Sequence, residues 1–142
     1  MTGSPSATPY GTPEVSGIVS RRSPLPFART VERLEEVIQE AGAKVFAAIN
    51  QKAQAVEAGL SLRDTTLVIF GSPQAGTLVM EAVPLAALDL PLKVLVWADD
   101  AGVTWMSFLS AAWLADRYGI PVEAAQPLSA VDVLTSRVAS SG

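Results

Sequence analysis

Two short apolar runs, residues 67–70 (LVIF) and 94–97 (VLVW), constrain the fold of this chain more than any other feature. Each is rich in β-branched or aromatic residues and too short for a helix of its own, and turn-forming residues lie close by. Each therefore reads as a strand. Neither alternates apolar with polar residues, as a strand with one wet face does, and this predicts cover on both faces. Helices supply one cover. The other calls for a partner subunit, a ligand pocket or the carboxy-terminal helix.

The rest of the chain fits around these two strands. Residues 15–20 read as a first strand, followed by a connection through Pro24 and Pro26. Val31, Leu34, Val37, Ile38 and Ala41 recur at helical spacing over residues 28–41, and Gly42 ends that helix. Residues 44–49 form a second strand. Asn50 is an N-cap for a short helix over 51–58, with Gly59 as its stop. Residues 65–70 form the third strand. Ser72 stands as an N-cap before Pro73, which takes the first helical position, where a missing N–H costs nothing. Residues 92–98 and 103–108 form a hairpin across Asp99-Asp100-Ala101-Gly102, and 111–117 a further helix. Ser129 and Asp132 resemble a capping box, opening a last helix with Leu128, Val131, Leu134 and Val138 on one face. This order predicts one α+β domain over residues 14–139: two layers, a mostly antiparallel sheet with helices packed on one face. Residues 1–13, dominated by Ser, Thr, Pro and Gly, are expected to be a disordered leader.

Composition removes whole classes of chemistry. The chain has neither cysteine nor histidine, so it has no thiolate, no Ser-His-Asp triad and none of the commonest metal ligands. Met80 and Met106, unaccompanied by His or Cys, read as core filling, and no metal or cofactor is expected. Net charge is −4 with scattered basic residues, which argues against a nucleic-acid partner. Pro84, Asp89, Pro91 and Lys93 break the longest apolar stretches, so no membrane span is expected, and a cytoplasmic location is.

Thr30-Val31-Glu32-Arg33-Leu34, Gly42 to Ala47 (GAKVFA), Ala55 with Gly59-Leu60, and Thr66 to Gly71 (TLVIFG) with Pro73 together resemble the domain-of-unknown-function 302 family. The match continues through Gly76-Thr77 with Met80, Leu88-Asp89-Leu90-Pro91-Leu92, Val96-Trp97, and Leu114-Ala115 with Arg117-Tyr118-Gly119. The resemblance implies a two-layer fold like that of the TATA-box-binding protein, a compact homodimer and no established activity. Fold likeness to a DNA-binding protein does not carry function. Three departures stand out. Ile49-Asn50-Gln51 replaces the family's common Ile-Asp-His, Gly71-Ser72-Pro73 replaces Gly-Asn-Pro, and Phe108-Leu109 replaces Tyr-Asn.

Candidate site residues follow from these patterns. Gly71 and Gly76 have the spacing of a phosphate loop, but Thr77 and Leu78 stand where its lysine and hydroxyl residue belong. The donors after Gly71, together with Ser72, are the readiest polar handle in an apolar domain. Glu81 and Gln51 are added as nearby polar groups, Gln51 on the condition that strands 44–49 and 65–70 pair in parallel. Trp97 and Phe108 are candidate pocket linings. The expected ligand-binding set is thus Gln51, Gly71, Ser72, Glu81, Trp97 and Phe108, with a bound molecule touching Ser72 and at least one of Gln51 and Glu81. Asp99 and Asp100, at the hairpin tip, are expected to be solvated residues engaged in Asx-turn hydrogen bonds rather than acid–base or metal groups. The favoured reading is a non-catalytic homodimer that binds a partner or a small apolar or anionic ligand. The alternative is an enzyme using Glu81 or Asp89 with Ser72 and the backbone N–H groups after Gly71.

Overall fold

Strands β1 (Ile18–Arg22), β2 (Lys44–Asn50), β3 (Thr65–Gly71), β4 (Leu92–Ala98) and β5 (Thr104–Leu109) form one sheet in the order β1-β5-β4-β3-β2, with every neighbouring pair antiparallel. The computed structural model describes residues 9–11 and 14–142, so most of the expected leader lies outside the described residues. Helix α1 (Phe27–Glu40) carries the chain from β1 at one edge of the sheet to β2 at the other. The remaining helices are α2 (Gln51–Glu57), α3 (Pro73–Ala82), α4 (Ala111–Tyr118), α5 (Val122–Ala125) and α6 (Ala130–Ala139), with 3-10 turns at Pro84–Asp89 and Gln126–Ser129. The domain is α+β, as its sequence indicates. The first strand begins three residues later than expected, because Gly17 takes a positive φ of 84° and turns the chain just before Ile18.

Leu34, Val37 and Ile38 of α1 and Val131, Leu134 and Val138 of α6 pack on Val68, Phe70, Val94, Val96 and Met106 of the sheet. Each such side chain contributes about 1.5–3 kcal/mol by leaving water. Arg21 fastens α6 to β1, donating from Nε to Thr135 Oγ1 at 3.2 Å and pairing with Asp132. A second cluster, Val79, Ala86, Leu114, Ile120 and Leu128, gathers α3, α4 and both 3-10 turns.

The cover expected on both faces of β3 and β4 does not come from the helices that build the core. Burial along β3 alternates strictly, with Thr66, Val68 and Phe70 buried and Thr65, Leu67 and Ile69 half-buried. Helix α6 joins α1 on the same side and does not close the other. The runs are apolar throughout, yet only alternate residues reach the core.

Two of the expected caps are not made. Ser72 sits at the N-cap of α3, but its hydroxyl donates to Gln74 Oε1 at 3.2 Å rather than accepting from a helix N–H. Ser129 donates to the carbonyl of Gln126 at 2.7 Å, and Asp132 is taken by Arg21 instead of closing a capping box. Asn50 and Ser110 do cap, accepting from the N–H groups of Ala53 at 2.9 Å and Trp113 at 3.0 Å. Ser110→Ala is therefore expected to cost about 1 kcal/mol, and Ser72→Ala clearly less, in paired urea titrations. Equal losses would mean that Ser72 caps in solution.

Candidate functional site

The antiparallel ladder decides which candidate residues can meet. Lys44 pairs with Gly71 and Asn50 with Thr66, so Gln51 leaves β2 at the end of the sheet opposite Gly71 and Ser72. Parallel pairing would have put them together, and antiparallel pairing separates them. Gln51 is exposed on α2, which buries no residue. Glu81 is exposed near the end of α3.

Gly71 and Ser72 border a cavity of about 760 Å³ between the sheet end, the turn after α1, α3 and α6. Phe46, Phe70, Met80, Leu90, Leu92 and Leu134 give it apolar walls. Gln51, Glu81 and Asp89 do not line it.

Asp89 ends the 3-10 turn before the cis Leu90–Pro91 bond. Its carboxylate accepts from the Tyr118 hydroxyl and lies 3.5 Å from Arg117 Nε. The guanidinium in turn lies 5.4 Å from the centroids of both the Trp113 and Tyr118 rings. A carboxylate set in an apolar stretch has thus found its donors, on α4. Ser72 is not among its hydrogen-bond partners.

The second concave region lies on the face of the sheet away from α1 and α6. Directly opposed residues share a face, so Ile49, Leu67, Leu95, Ser107 and Ser20 form one row across all five strands. A trough of about 890 Å³ runs over part of this row and is walled by Glu14, Val15 and Ser16. In its floor Trp97 Nε1 donates to Ser107 Oγ at 2.9 Å, and Ser107 Oγ lies 2.7 Å from Ser20 Oγ. Phe108 borders the trough as Trp97 does, but it is 4 % exposed and also belongs to the helix-side core, with the Arg21 guanidinium 5.9 Å from its ring centroid. The two side chains project from opposite faces because Trp97 pairs with Trp105, which stands an odd number of residues before Phe108 on β5.

Asp99 makes the turn its position predicts, accepting from the N–H two residues on, but it is not solvated. It is 7 % exposed, and it accepts from Trp105 Nε1 at 2.8 Å and from the N–H groups of Ala101, Val103 and Tyr10 at 2.9, 3.0 and 3.0 Å. Burial pushes its carboxyl up. The hydrogen bonds from Trp105, Val103, Tyr10 and Ala101 outweigh that and bring it down to about 2. All four donors are spent on holding the hairpin and the segment at Tyr10. Asp100 is exposed and pairs with Arg63.

The chain belongs to the family described as domain of unknown function DUF302, which matches residues 19–136. A solved structure of an uncharacterized conserved DUF302 protein from Bacillus stearothermophilus has the same fold, with a TM-score of 0.78 at 20% identity over 87% of this chain and 99% of that one. Similar curated proteins are fluoride-specific ion channel FluC 1 of Brucella suis and fluoride-specific ion channel FluC 2 of Brucella melitensis. Both are 40% identical over 105 residues, which make up 74% of this chain and 41% and 39% of those proteins. The chain thus spans about two fifths of the length of the curated relatives it matches. Among its described residues no helix is long and apolar enough to cross a membrane.

Proposed function

We propose that this domain is a non-catalytic binding module that works as a homodimer, with the open sheet face as its subunit interface. The observation that carries this reading is the composition of that face. Ile49, Leu67, Ile69, Leu95 and Trp97 lie together on it, half-buried or exposed, and none of them joins either core cluster. Contiguous apolar surface of this kind is costly to leave in water and is a mark of association. A twofold axis through the face would set each row of residues against its own copy and pack sheet on sheet.

The enzyme reading receives no comparable support. Ser72 borders the cavity at the sheet end and Asp89 borders the trough, while Glu81 lines neither. A catalytic site needs its groups to converge. The fluoride-channel activity named for the relatives is not part of this reading, because the shared segment is about two fifths of those proteins.

Sedimentation equilibrium tests the proposal. The protein is expected to have a dimer mass at micromolar concentration and Leu95→Asp a monomer mass, since the substitution sets a carboxylate in the apolar row. A monomer mass for the unaltered protein across that range, or an unaltered dimer in Leu95→Asp, overturns it.

A further inference from the structure

We infer that the cavity beside Gly71 and Gly76 is a binding site for a small, uncharged, predominantly apolar molecule. This rests on the preceding reading only in that the domain works by binding. It does not depend on the dimer.

The two glycines carry the argument. Neither has a positive φ, so the backbone does not require glycine at either position. Internal packing does not require it either. A Cβ built on Gly76 would come no closer than 3.8 Å to Met80 Cε, and one on Gly71 would lie 3.5 Å from Phe46 Cε2 and 3.7 Å from Pro91 Cβ, all ordinary contacts. Gly76 lies inside α3, where glycine costs the helix stability relative to alanine. Both line the cavity. The chain thus leaves bare backbone on the cavity wall, at a cost to the helix that no contact of its own explains. Space reserved for an occupant explains it.

The lining fixes the class of that occupant. Among the described residues no charged side chain lines the cavity, so a charged molecule would lose its hydration without a counterion. The hydroxyls at its edge are already engaged: Thr77 donates to the Pro73 carbonyl at 2.6 Å, Ser129 to that of Gln126 at 2.7 Å, and Ser72 to Gln74 Oε1 at 3.2 Å. The Gln126 amide is a neutral polar group on the lining, and the walls otherwise offer apolar contact with two phenyl rings, Phe46 and Phe70, and with Met80, whose unbranched thioether adapts to different shapes. The volume of about 760 Å³ lies within the usual range of small-molecule sites. Phe46 is 44 % exposed and Val133 59 % exposed, so the space opens to solvent between β2 and α6.

The test uses the uncharged fluorophore N-phenyl-1-naphthylamine on the full chain, with far-UV circular dichroism and dimer mass recorded in parallel. The expected result is saturable binding of one molecule per chain, weakened at least tenfold by Gly76→Leu, which projects a branched side chain into the cavity. Val133→Trp is expected to do the same by crowding the mouth, and as an exposed site it tolerates the change even if Gly76→Leu does not fold. Leu95→Asp, on the opposite face of the sheet from the core, is expected to keep the wild-type affinity whether or not it dissociates the dimer. Absence of saturable binding, or wild-type affinity in folded Val133→Trp, overturns the proposal. So does loss of binding in Leu95→Asp alone, which would place the probe on the open sheet face.

Discussion

Asp99→Ala is expected to lower the melting temperature by more than about 10 °C, the largest loss from any polar substitution in this domain. The substitution removes one acceptor group and orphans four donors at once: the indole of Trp105 and the N–H groups of Tyr10, Ala101 and Val103. The Trp105 indole bond is buried and the other three are partly buried, and a buried donor left unpaired costs more than its bond contributed. Acid should expose the same dependence. The carboxyl is held at about 2 in the folded protein, against about 3.9 in an unfolded chain. A depressed folded value contributes stability that is fully present above about pH 4 and is lost as pH falls through about 2. Asn at this position keeps one acceptor oxygen but turns an NH₂ toward the remaining donors. Asp99→Asn should therefore be less stable at pH 7 and should lack this contribution to the acid slope. Melting curves from pH 2 to 7 on the three proteins decide the matter. Superimposable slopes for wild type and Asp99→Asn would show that the carboxylate does not hold the hairpin.

That buried aspartate also marks the limit of what sequence can reveal here. Elements whose signal is local were legible. Helix α1 follows from the spacing of Leu34, Val37 and Ile38, all three fully buried. The strand bounds at Leu92–Ala98 follow from the apolar run and the Asp99-Asp100-Ala101-Gly102 turn after it. What depends on a partner distant in sequence was not legible. One of the donors to Asp99 is the N–H of Tyr10, 89 residues away. Asp132 serves Arg21, 111 residues away, instead of its own helix start. Gln51 meets Ser72 only if β2 and β3 pair in parallel, and strand composition does not fix strand direction; the pairing is antiparallel. The cavity is assembled from segments near residues 46, 71, 91 and 133, and its only local trace is a glycine inside a helix. LVIF and VLVW identified strands correctly, but an unbroken apolar run does not say which covers are intramolecular.

The same side chain on the two faces of the sheet is expected to report two different properties. Leu34 is fully buried on α1 against the sheet, so Leu34→Ala removes its transfer energy and leaves a cavity, at about 2–5 kcal/mol. That loss belongs to the fold of one chain, and the measured value should not change with protein concentration. Leu95 lies one residue before the buried Val96, on the other face, where it is half-buried within a chain and opposes Leu67. If the open face joins two copies, Leu95→Ala costs little in the isolated chain and most of its effect falls on association. Its unfolding midpoint should then drop most at low micromolar concentration and recover as concentration rises, because dimerisation stabilises by mass action. Urea titrations of both variants over a hundredfold concentration range separate the two behaviours. A Leu95→Ala midpoint independent of concentration, beside a concentration-independent wild type, would leave that face as ordinary solvent-exposed sheet and remove the physical basis for the dimer.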